Sequence, residues 1–448
     1  MTDVTVVAAP ARNRTLYSID NGMHRRNAAE KRFRIYGIFA ILISLLTLAV
    51  MLWTILSDGV SAFRQASLGF PVSLDAKVLD PKGNRDPEEM KKVTTIGYAK
   101  LIEAALVAHL AQRGIPMEGL GKRDIAAFIS RDMPGELRDM VLADPSLLGQ
   151  DIAFSGFAGG RIDGYLKGRV TRETAELDSK ISVAQLDLAD RMIDAGILRS
   201  GFNLRFLTNP DASDQRPEAA GLGVALIGSA YMMALVAMMA LPIGVAASIY
   251  LEEFAPQNRW TDLIEVNISN LAAVPSIVYG ILGLAIFINF AHLPQSSPLV
   301  GALVLTLMTL PTIIIATRAA IRAVPPSIRD AALGIGASKM QTVFHHVLPL
   351  AAPGILTGTI LGLATALGET APLLLIGMVA FVANYPSAPM EGVLDPATAL
   401  PVQVYSWVTR SDPAFLERSN GAIIVLLAFL VMMNIIAILL RRRFERRW

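Results

Sequence analysis

The sequence predicts an all-α membrane protein with six transmembrane helices and a mainly helical insert, 57–220, between the first and second of them. Two features of composition predict this class. Hydrophobic residues make up 53% of the 448 residues, and the mean hydropathy is +0.48. Of the 78 charged residues, 45 lie within 57–220, so the rest of the chain is as poor in charge as a membrane protein. This distribution argues against a wholly soluble enzyme, a nucleic-acid-binding protein and a disordered chain.

Six apolar stretches are long enough to cross a bilayer as helices, which takes about 20 residues. Their approximate bounds are 36–56, 223–249, 271–290, 299–317, 350–378 and 421–440. The first is expected to be an uncleaved signal anchor. Basic residues are concentrated in the tails 1–35 and 441–448 and between the fourth and fifth spans, where Arg318, Arg322, Arg329 and Lys339 lie. The positive-inside rule therefore predicts that all three regions are cytoplasmic. The same rule predicts that the insert is extracytoplasmic, and 221–440 forms the membrane core.

The insert has the composition of a soluble domain and a helical pattern. Apolar residues at spacings of three and four predict one helix over 171–195, with Gly196 as its stop. Phe202, Leu204 and Phe206 alternate with polar residues and predict a short strand. His109 stands alone in an apolar helical pattern, so we expect it to be packed or solvated rather than a metal ligand. The segment contains no recognisable catalytic set of residues.

The loop between the fourth and fifth predicted spans contains the pattern of two short helices joined by a bend. Ser327 is expected to cap the first helix, with Asp330 reaching back to it, and Gly336 is expected to end it. A capping-box pattern at 338–341 predicts the start of a second helix, which Pro349 is expected to end. This loop is therefore predicted to be a bent helical knob.

The first helix of this knob has an apolar face of small side chains. The face is formed by Ile328, Ala331, Ala332 and Ile335. Such a face anchors poorly in lipid but fits a groove on a partner protein. A knob of this kind on the cytoplasmic side predicts a soluble partner that moves it.

The same loop resembles the EAA signature of binding-protein-dependent ABC importer permeases: Glu-Ala-Ala, three residues, Gly, nine residues, Ile, one residue, Leu-Pro. The corresponding residues are Asp330-Ala331-Ala332, Gly336, His346 and Leu348-Pro349. Asp330 keeps the charge of the signature's Glu, and His346 replaces its Ile. The resemblance implies that an ATPase is coupled to the chain through Asp330, Ala331, Ala332, Gly336, Leu348 and Pro349.

Four further stretches are similar to the PstA-type permease of the phosphate importer. They are YLEEFAP at 250–256, AVPSIVYG at 273–280, ALGETAPL at 366–373 and LPVQ at 400–403. The likeness covers roughly 221–448, and the first 220 residues resemble the enlarged amino-terminal region of some members. The resemblance implies a type I ABC importer permease core in the bacterial inner membrane. It implies as partners a PstC-like second permease, a PstB-like ATPase dimer, a periplasmic phosphate-binding protein, phosphate and membrane lipids.

Glu369 is the one ionisable residue well inside a predicted span. A charge at mid-bilayer costs about 2.5–3.5 kcal/mol, so Glu369 should face the bundle interior and be paired or protonated. Two interpretations remain open: an ion pair with the partner permease, Arg318 or Arg322, and a structural hydrogen bond near Thr370. Arg318 and Arg322 lie one helical turn apart, where they can contact phosphate or lipid headgroups or act as simple anchors.

Gly354, Gly358 and Gly362 recur every four residues and predict a ridge for close helix packing. The chain has no cysteine and no Gly-x-x-x-x-Gly-Lys-Ser/Thr pattern, so the ATP is expected to be hydrolysed by a separate subunit. We expect no catalytic residue, metal, cofactor or nucleic-acid partner. Two alternatives remain open: a permease for another oxyanion such as sulfate or molybdate, and a membrane sensor or scaffold with the insert as its input domain.

Overall fold

The computed structural model describes residues 21–80, 82–379, 381–386 and 391–444. The predictions for 1–20 and 445–448, which make up much of the two basic tails, lie outside the described residues. The chain divides into two compact units, 1–55 and 56–448. The described part of the first unit is entirely helical and belongs to α1 (Asn21–Gly59).

α1 fits the first predicted span. Arg25–Phe63 is long and apolar enough to cross a membrane. Ser44, Thr47 and Thr54 each donate their hydroxyl to the carbonyl oxygen four residues earlier, at 3.0 Å. These polar side chains are therefore satisfied inside the helix, as a hydrocarbon environment requires.

Residues 64–220 form an α/β domain, here called the inserted domain. Its strands are β1 (Arg64–Ser73), β2 (Asp151–Phe157) and β3 (Leu198–Phe202). Its helices are α2 (Ala76–Leu79), α3 (Pro87–Met90), α4 (Thr95–Gln112), α5 (Lys122–Ala126), α6 (Met133–Ala143), α7 (Gly160–Leu166), α8 (Arg172–Leu177), α9 (Val183–Asp194) and α10 (Arg205–Thr208). The helices α4, α6 and α9 pack around one hydrophobic core with the sheet.

The three strands form an antiparallel sheet in the order β2-β1-β3. Along β1, Ala66, Leu68, Phe70 and Val72 are buried in the core of the domain, which is the alternation of a half-buried strand. The prediction of a mainly helical insert is therefore confirmed, but the three-stranded sheet goes beyond the single short strand that was predicted. The pattern of β1 is readable in the sequence, but its partner strands lie far along the chain and only Leu198 of β3 is buried.

Two further predictions for the inserted domain are corrected. The single helix over 171–195 is two helices, α8 and α9, because Ser182 forms a capping box with Gln185 and starts a new helix. Gly196 adopts a φ of +70° just after α9, so its predicted role as a stop is confirmed. The strand predicted at 202–206 ends at Phe202, since the chain turns there into α10.

The membrane core and the loops that connect its spans contain ten α-helices among the described residues. They are α11 (Gly223–Ile249), α12 (Arg259–Leu271), α13 (Ser276–Gly283), α14 (Pro298–Arg322), α15 (Pro326–Gly334), α16 (Lys339–Gln341), α17 (Leu348–Gly368), α18 (Ala371–Leu375), α19 (Leu400–Val408) and α20 (Pro413–Phe444). Three π-helical segments, Tyr250–Phe254, Leu284–Phe290 and Thr342–Val347, extend α11 and α13 and lead into α17. Within the described residues, five helices are long and apolar enough to cross a membrane, or six if one bent pair counts as a span.

The third and fifth predicted spans are not straight helices. The bent pair is Arg259–Leu271 and Ser276–Phe290, whose axes differ by 103°, and Pro275 between them precludes a continuous helix. The span predicted over 350–378 ends as a helix at Gly368, and the short α18 follows after a break. Apolar length alone therefore located both segments correctly but could not locate their breaks.

The three glycines of α17 lie against α14. A Cβ at Gly354 would come 2.7 Å from Ala320 Cβ, and a Cβ at Gly358 would come still closer to Ala316 Cβ. At Gly362 the distance to Ile313 Cγ1 would be an ordinary 3.4 Å. The absence of a side chain at the first two positions lets the two helices approach closely.

The inserted domain is joined to α20 by a cluster of buried charges, here called the junction network. Lys167 Nζ lies 2.8 Å from both Asp163 Oδ2 and Glu417 Oε1. Arg169 Nε lies 2.7 Å from Glu417 Oε2, and Arg169 Nη2 lies 3.3 Å from Asp163 Oδ2. The side chains of Lys167, Asp163 and Glu417 are 6%, 3% and 5% exposed, so these pairs are shielded from water and strongly interdependent.

Arg418 and an aromatic cluster complete this junction. Arg418 donates to the carbonyl oxygens of Glu218 and Ala220, both at 2.8 Å. Its guanidinium lies 5.6 Å from the ring centroid of Phe206, and Phe206 stacks on Trp407 of α19. The end of the inserted domain is therefore fixed to α19 and α20 by hydrogen bonds, ring contacts and ion pairs.

Lys167→Met should destabilise the protein by about 3–5 kcal/mol, because it leaves two buried carboxylates with too little positive charge. The free energy of unfolding of the purified chain in detergent measures this. Lys91→Met is the matched control, since Lys91 forms an exposed ion pair with Glu88 and its loss should have no measurable effect. Equal stability of the Lys167→Met variant and the wild type would contradict a structural role for the network.

Gly358→Ala should cost about 1–3 kcal/mol, because the new methyl group overlaps Ala316 and forces α17 away from α14. The same detergent unfolding measurement applies. Gly368→Ala is the control in the same helix, as a Cβ there meets no atom within 4 Å and replacing glycine favours the helix. Equal free energies of unfolding of the two variants would contradict close packing of α17 on α14 at Gly358.

Candidate functional site

The connection between α14 and α17 is a compact knob, formed by α15, α16 and the π segment Thr342–Val347. Ala332 is buried and Ile328 is half-buried. Ile328 packs in a hydrophobic cluster that also contains Val324, Val343 and Val347. One side of α15 is therefore held against the start of the following helix.

The ends of these helices differ in part from the prediction. α15 begins after Pro325 without a side-chain cap, so the expected cap by Ser327 and the return of Asp330 are wrong; prolines at the first helical turn supply the start instead. Gly336 has a φ of +90° just after α15, as its predicted role requires. The capping box of Ser338 and Gln341 is confirmed by reciprocal hydrogen bonds of 3.2 and 2.9 Å.

Pro349 does not end the second helix. The helical path runs from Lys339 to Gly368, and Pro349 lies in the first turn of α17. The N–H of Leu348 donates to the carbonyl oxygen of Val343, five residues earlier. A π turn of this kind widens the helix just before the proline and relieves the clash that would otherwise break it.

Arg329 fastens the knob to the rest of the chain. Its Nη2 and Nε lie 2.7 and 3.0 Å from Glu253 Oε1. The same guanidinium donates to the carbonyl oxygens of Val324, at 2.8 Å, and Ile321, at 3.0 Å. It therefore caps the carboxyl end of α14 and ties α15 to the π segment that extends α11.

Arg318 and Arg322 form a second set of ion pairs beside the first. Both contact Glu252, through Nε atoms at 3.2 and 2.6 Å, and Arg318 also contacts Glu265 of α12. The pairing of either arginine with Glu369 is therefore wrong for this structure. A role in phosphate or lipid contact stays a prediction, and Arg322 is the more accessible of the two, with 60% of its side chain exposed.

Glu369 lies in the break between α17 and α18. It is half-buried, and its N–H donates to the carbonyl oxygen of Ala366. Across the described part of the chain, no hydrogen bond or ion pair is formed by its carboxylate. The structural hydrogen bond that was one interpretation of this residue is absent, which leaves a partner subunit as the interpretation still open.

The outer side of the knob presents large apolar side chains. Leu333, Ile335, Met340 and Phe344 are 49%, 83%, 57% and 45% exposed. Asp330, Ala331, Gly336 and Pro349 are also exposed, whereas Ala332 is buried and Leu348 half-buried. The predicted apolar face is thus divided: Ile328 and Ala332 point to the core, and Ala331 and Ile335 point away from it. Exposed large apolar side chains occur at surfaces where proteins bind one another.

Metal binding finds no support among the described residues, where no three His, Cys, Asp or Glu side chains cluster. His109 lies half-buried in α4, and burial lowers the pKa of its imidazole. It is a packed histidine of the inserted domain.

Comparison with known proteins identifies the family. The family described as binding-protein-dependent transport system inner membrane component matches residues 240–448. The probable ABC transporter permease protein YqgI of Bacillus subtilis (strain 168) is 33% identical over 230 residues, which cover 49% of this chain and 78% of that protein. The phosphate transport system permease protein PstA 1 of Mycobacterium tuberculosis (strain CDC 1551 / Oshkosh) is 31% identical over 229 residues, covering 51% and 73%.

The chain belongs to the PstA-type ABC permeases. The resemblance seen in the sequence is thereby confirmed. This PstA-type permease also superposes on a chain of the inward-facing MetNI methionine ABC transporter with a TM-score of 0.38, at 16% identity, over 50% of this chain and 97% of that one. Residues 20–176 match a domain of unknown function, DUF3333, which covers α1 and most of the inserted domain.

The sequence did not reveal what holds the knob in place. Glu252 and Glu253 belong to the stretch 250–256, which in the sequence shows only a likeness to the PstA-type permeases. The arginines that they bind are 66 to 76 residues further along the chain. Two adjacent acids directly after an apolar span are a usable signal, because such charges need partners near the membrane surface. The available partners were Arg318 and Arg322 in the last turns of α14 and Arg329 in α15.

Glu253→Gln should loosen the knob, because it removes the carboxylate that Arg329 binds through two nitrogen atoms. Amide hydrogen exchange over 326–341 in the purified chain should become roughly tenfold faster, the equivalent of losing one charge-assisted hydrogen bond. Asp330→Asn is the control, since within the described residues Asp330 has no ion pair. Wild-type rates of amide exchange over 326–341 in both variants would show that the Arg329–Glu253 contact does not hold the knob in place.

Proposed function

We propose that this chain is the permease subunit of an ATP-driven phosphate importer, in which it forms half of the transmembrane pathway. The exposed apolar patch on the knob carries the proposal, because it provides a surface for a separate ATPase. The identity to the M. tuberculosis phosphate permease supports phosphate as the substrate. In this role the chain performs no covalent chemistry.

The proposed topology follows the distribution of basic residues. The knob and both termini face the cytoplasm of a bacterium, in its inner membrane, and the inserted domain faces outward. Arg318, Arg322 and Arg329 then lie at the cytoplasmic ends of the helices, and the junction network lies at the opposite end of the core.

The partners are a PstC-like second permease, a PstB-like ATPase dimer and an external phosphate-binding protein. α12 supports a partner in the membrane: it is amphipathic, yet none of its residues is buried within this chain. Trp260, Leu263 and Val266 are 75%, 52% and 56% exposed. This apolar face of α12 can contact either lipid or the second permease.

Alternating access is the proposed mechanism. ATP binding closes the ATPase dimer and displaces the knob, on which Asp330, Ala331 and Gly336 are exposed. Arg329 passes this displacement to α11 and α14, because its guanidinium bonds to both. α17 follows directly, since it continues the second helix of the knob, and its tight contact with α14 makes the two helices move together.

Ile335→Asp should reduce ATP-dependent phosphate uptake at least roughly tenfold in proteoliposomes that contain the complete importer, because a charge on an apolar docking surface is costly to bury. The variant should fold normally, as the side chain is 83% exposed. Leu177→Asp is the control, an apolar residue of the inserted domain that is 91% exposed, and it should leave uptake unchanged.

Two results would contradict the proposal. Normal uptake and normal co-purification of the ATPase with the Ile335→Asp variant would exclude the knob as the docking surface. Uptake that excess sulfate or molybdate abolishes, and that unlabelled phosphate does not, would assign another oxyanion to the importer.

A further inference from the structure

The inserted domain contains a large open cleft of about 860 Å³. Its walls come from α5, the start of α6, the start of α7 and the segment 214–218, and it reaches Asp412 and Pro413 where α20 begins. The volume lies in the range of small-molecule sites. None of the residues of the knob lines the cleft.

Cationic side chains outnumber acidic ones in the lining of this cleft, by six to five. Six cationic side chains line it: Arg123, Arg131, Arg161, Arg169, Lys180 and Arg216. Three of them are bound by carboxylates, since Arg216 lies 2.6 Å from Asp132, Arg161 lies 3.4 Å from Asp178, and Arg169 belongs to the junction network. The other three have no carboxylate within ion-pair distance among the described residues. Of these, Arg131 donates only to a neutral amide oxygen, that of Gln215, at 2.6 Å.

Five acidic residues line the cleft, and one of them, Glu103 of α4, has no ion pair among the described residues. Three others have partners. Asp132 pairs with Arg216, Asp214 lies 3.4 Å from Arg410, and Asp412 caps α20 by accepting from the N–H of Ala414 at 2.9 Å.

Glu218 lies at the buried base of the cleft. It is 4% exposed and accepts a hydrogen bond of 2.6 Å from Ser130 Oγ. Burial raises the pKa of the Glu218 carboxyl. Ser130 therefore holds this carboxyl group in place at the base of the cleft.

We propose that this cleft binds a phosphate group, carried by inorganic phosphate or by a small phosphomonoester. Arg123, Arg131 and Lys180 supply the charge-assisted hydrogen bonds, because guanidinium and ammonium groups without carboxylate partners are suited to the oxygens of a tetrahedral oxyanion. The cleft is much larger than a bare phosphate ion, which leaves room for an organic group. The inference does not depend on what the membrane core transports.

The test is direct binding of radiolabelled inorganic phosphate to the purified full-length chain in detergent, by equilibrium dialysis at low ionic strength. The triple variant Arg123→Gln, Arg131→Gln, Lys180→Gln should bind at least about tenfold more weakly than the wild type, because three charge-assisted contacts are lost. The matched control is Lys100→Gln, Arg113→Gln, Lys122→Gln, which removes the same charge from exposed positions outside the cleft and should bind like the wild type.

Competition separates the two sources of the phosphate group. Displacement of the label by glycerol 3-phosphate at lower concentration than by phosphate identifies a phosphomonoester, and the reverse order identifies inorganic phosphate. The proposal is overturned if the wild-type chain shows no saturable binding of either, or if the triple variant, with unchanged thermal unfolding, binds as tightly as the wild type. Failure of phosphate uptake by the importer would leave this binding result untouched.

Discussion

A buried charge is tolerated only when an opposite charge meets it, and this requirement fixes the two junctions on which the fold depends. At one junction, Lys167 is enclosed by Asp163 and Glu417, so the inserted domain cannot separate from α20 without exposing unpaired charges. At the other, Arg329 binds Glu253 and the end of α14, so the knob cannot turn independently. Each junction joins elements that are distant in sequence, and its ion pairs hold these elements in a fixed relative position.

Much of the membrane core could be predicted from apolar length alone. Four predicted spans, 36–56, 223–249, 299–317 and 421–440, lie within single continuous helices. The bend at Pro275 and the break after Gly368 escaped prediction, because apolar length does not register single interrupting residues such as Pro275 and Glu369. The sheet escaped for a different reason: β1 shows clear alternation, but a single strand does not reveal partners far along the chain. The ion pairs of Glu252 and Glu253 required the same long-range information.

The candidate site shows where a sequence signature helps and where it misleads. The register from Asp330 to Pro349 located the knob and the turn at Gly336 correctly. It could not show that, of the adjacent residues Ala331 and Ala332, the first is exposed and the second is buried. A signature records which residue types occur, whereas the direction of each side chain follows from how α15 packs on Val343 and Val347.

The π segment Thr342–Val347 determines the rotational orientation of the knob about the axis of α17. A π turn accommodates one more residue than an α turn, and each residue of an α-helix turns the chain by about 100°. Deleting one residue there, so that the turn becomes α-helical, would rotate α16 and everything before it by about that angle around the axis of α17. The orientation of the knob relative to α17 is thus determined by a single extra residue.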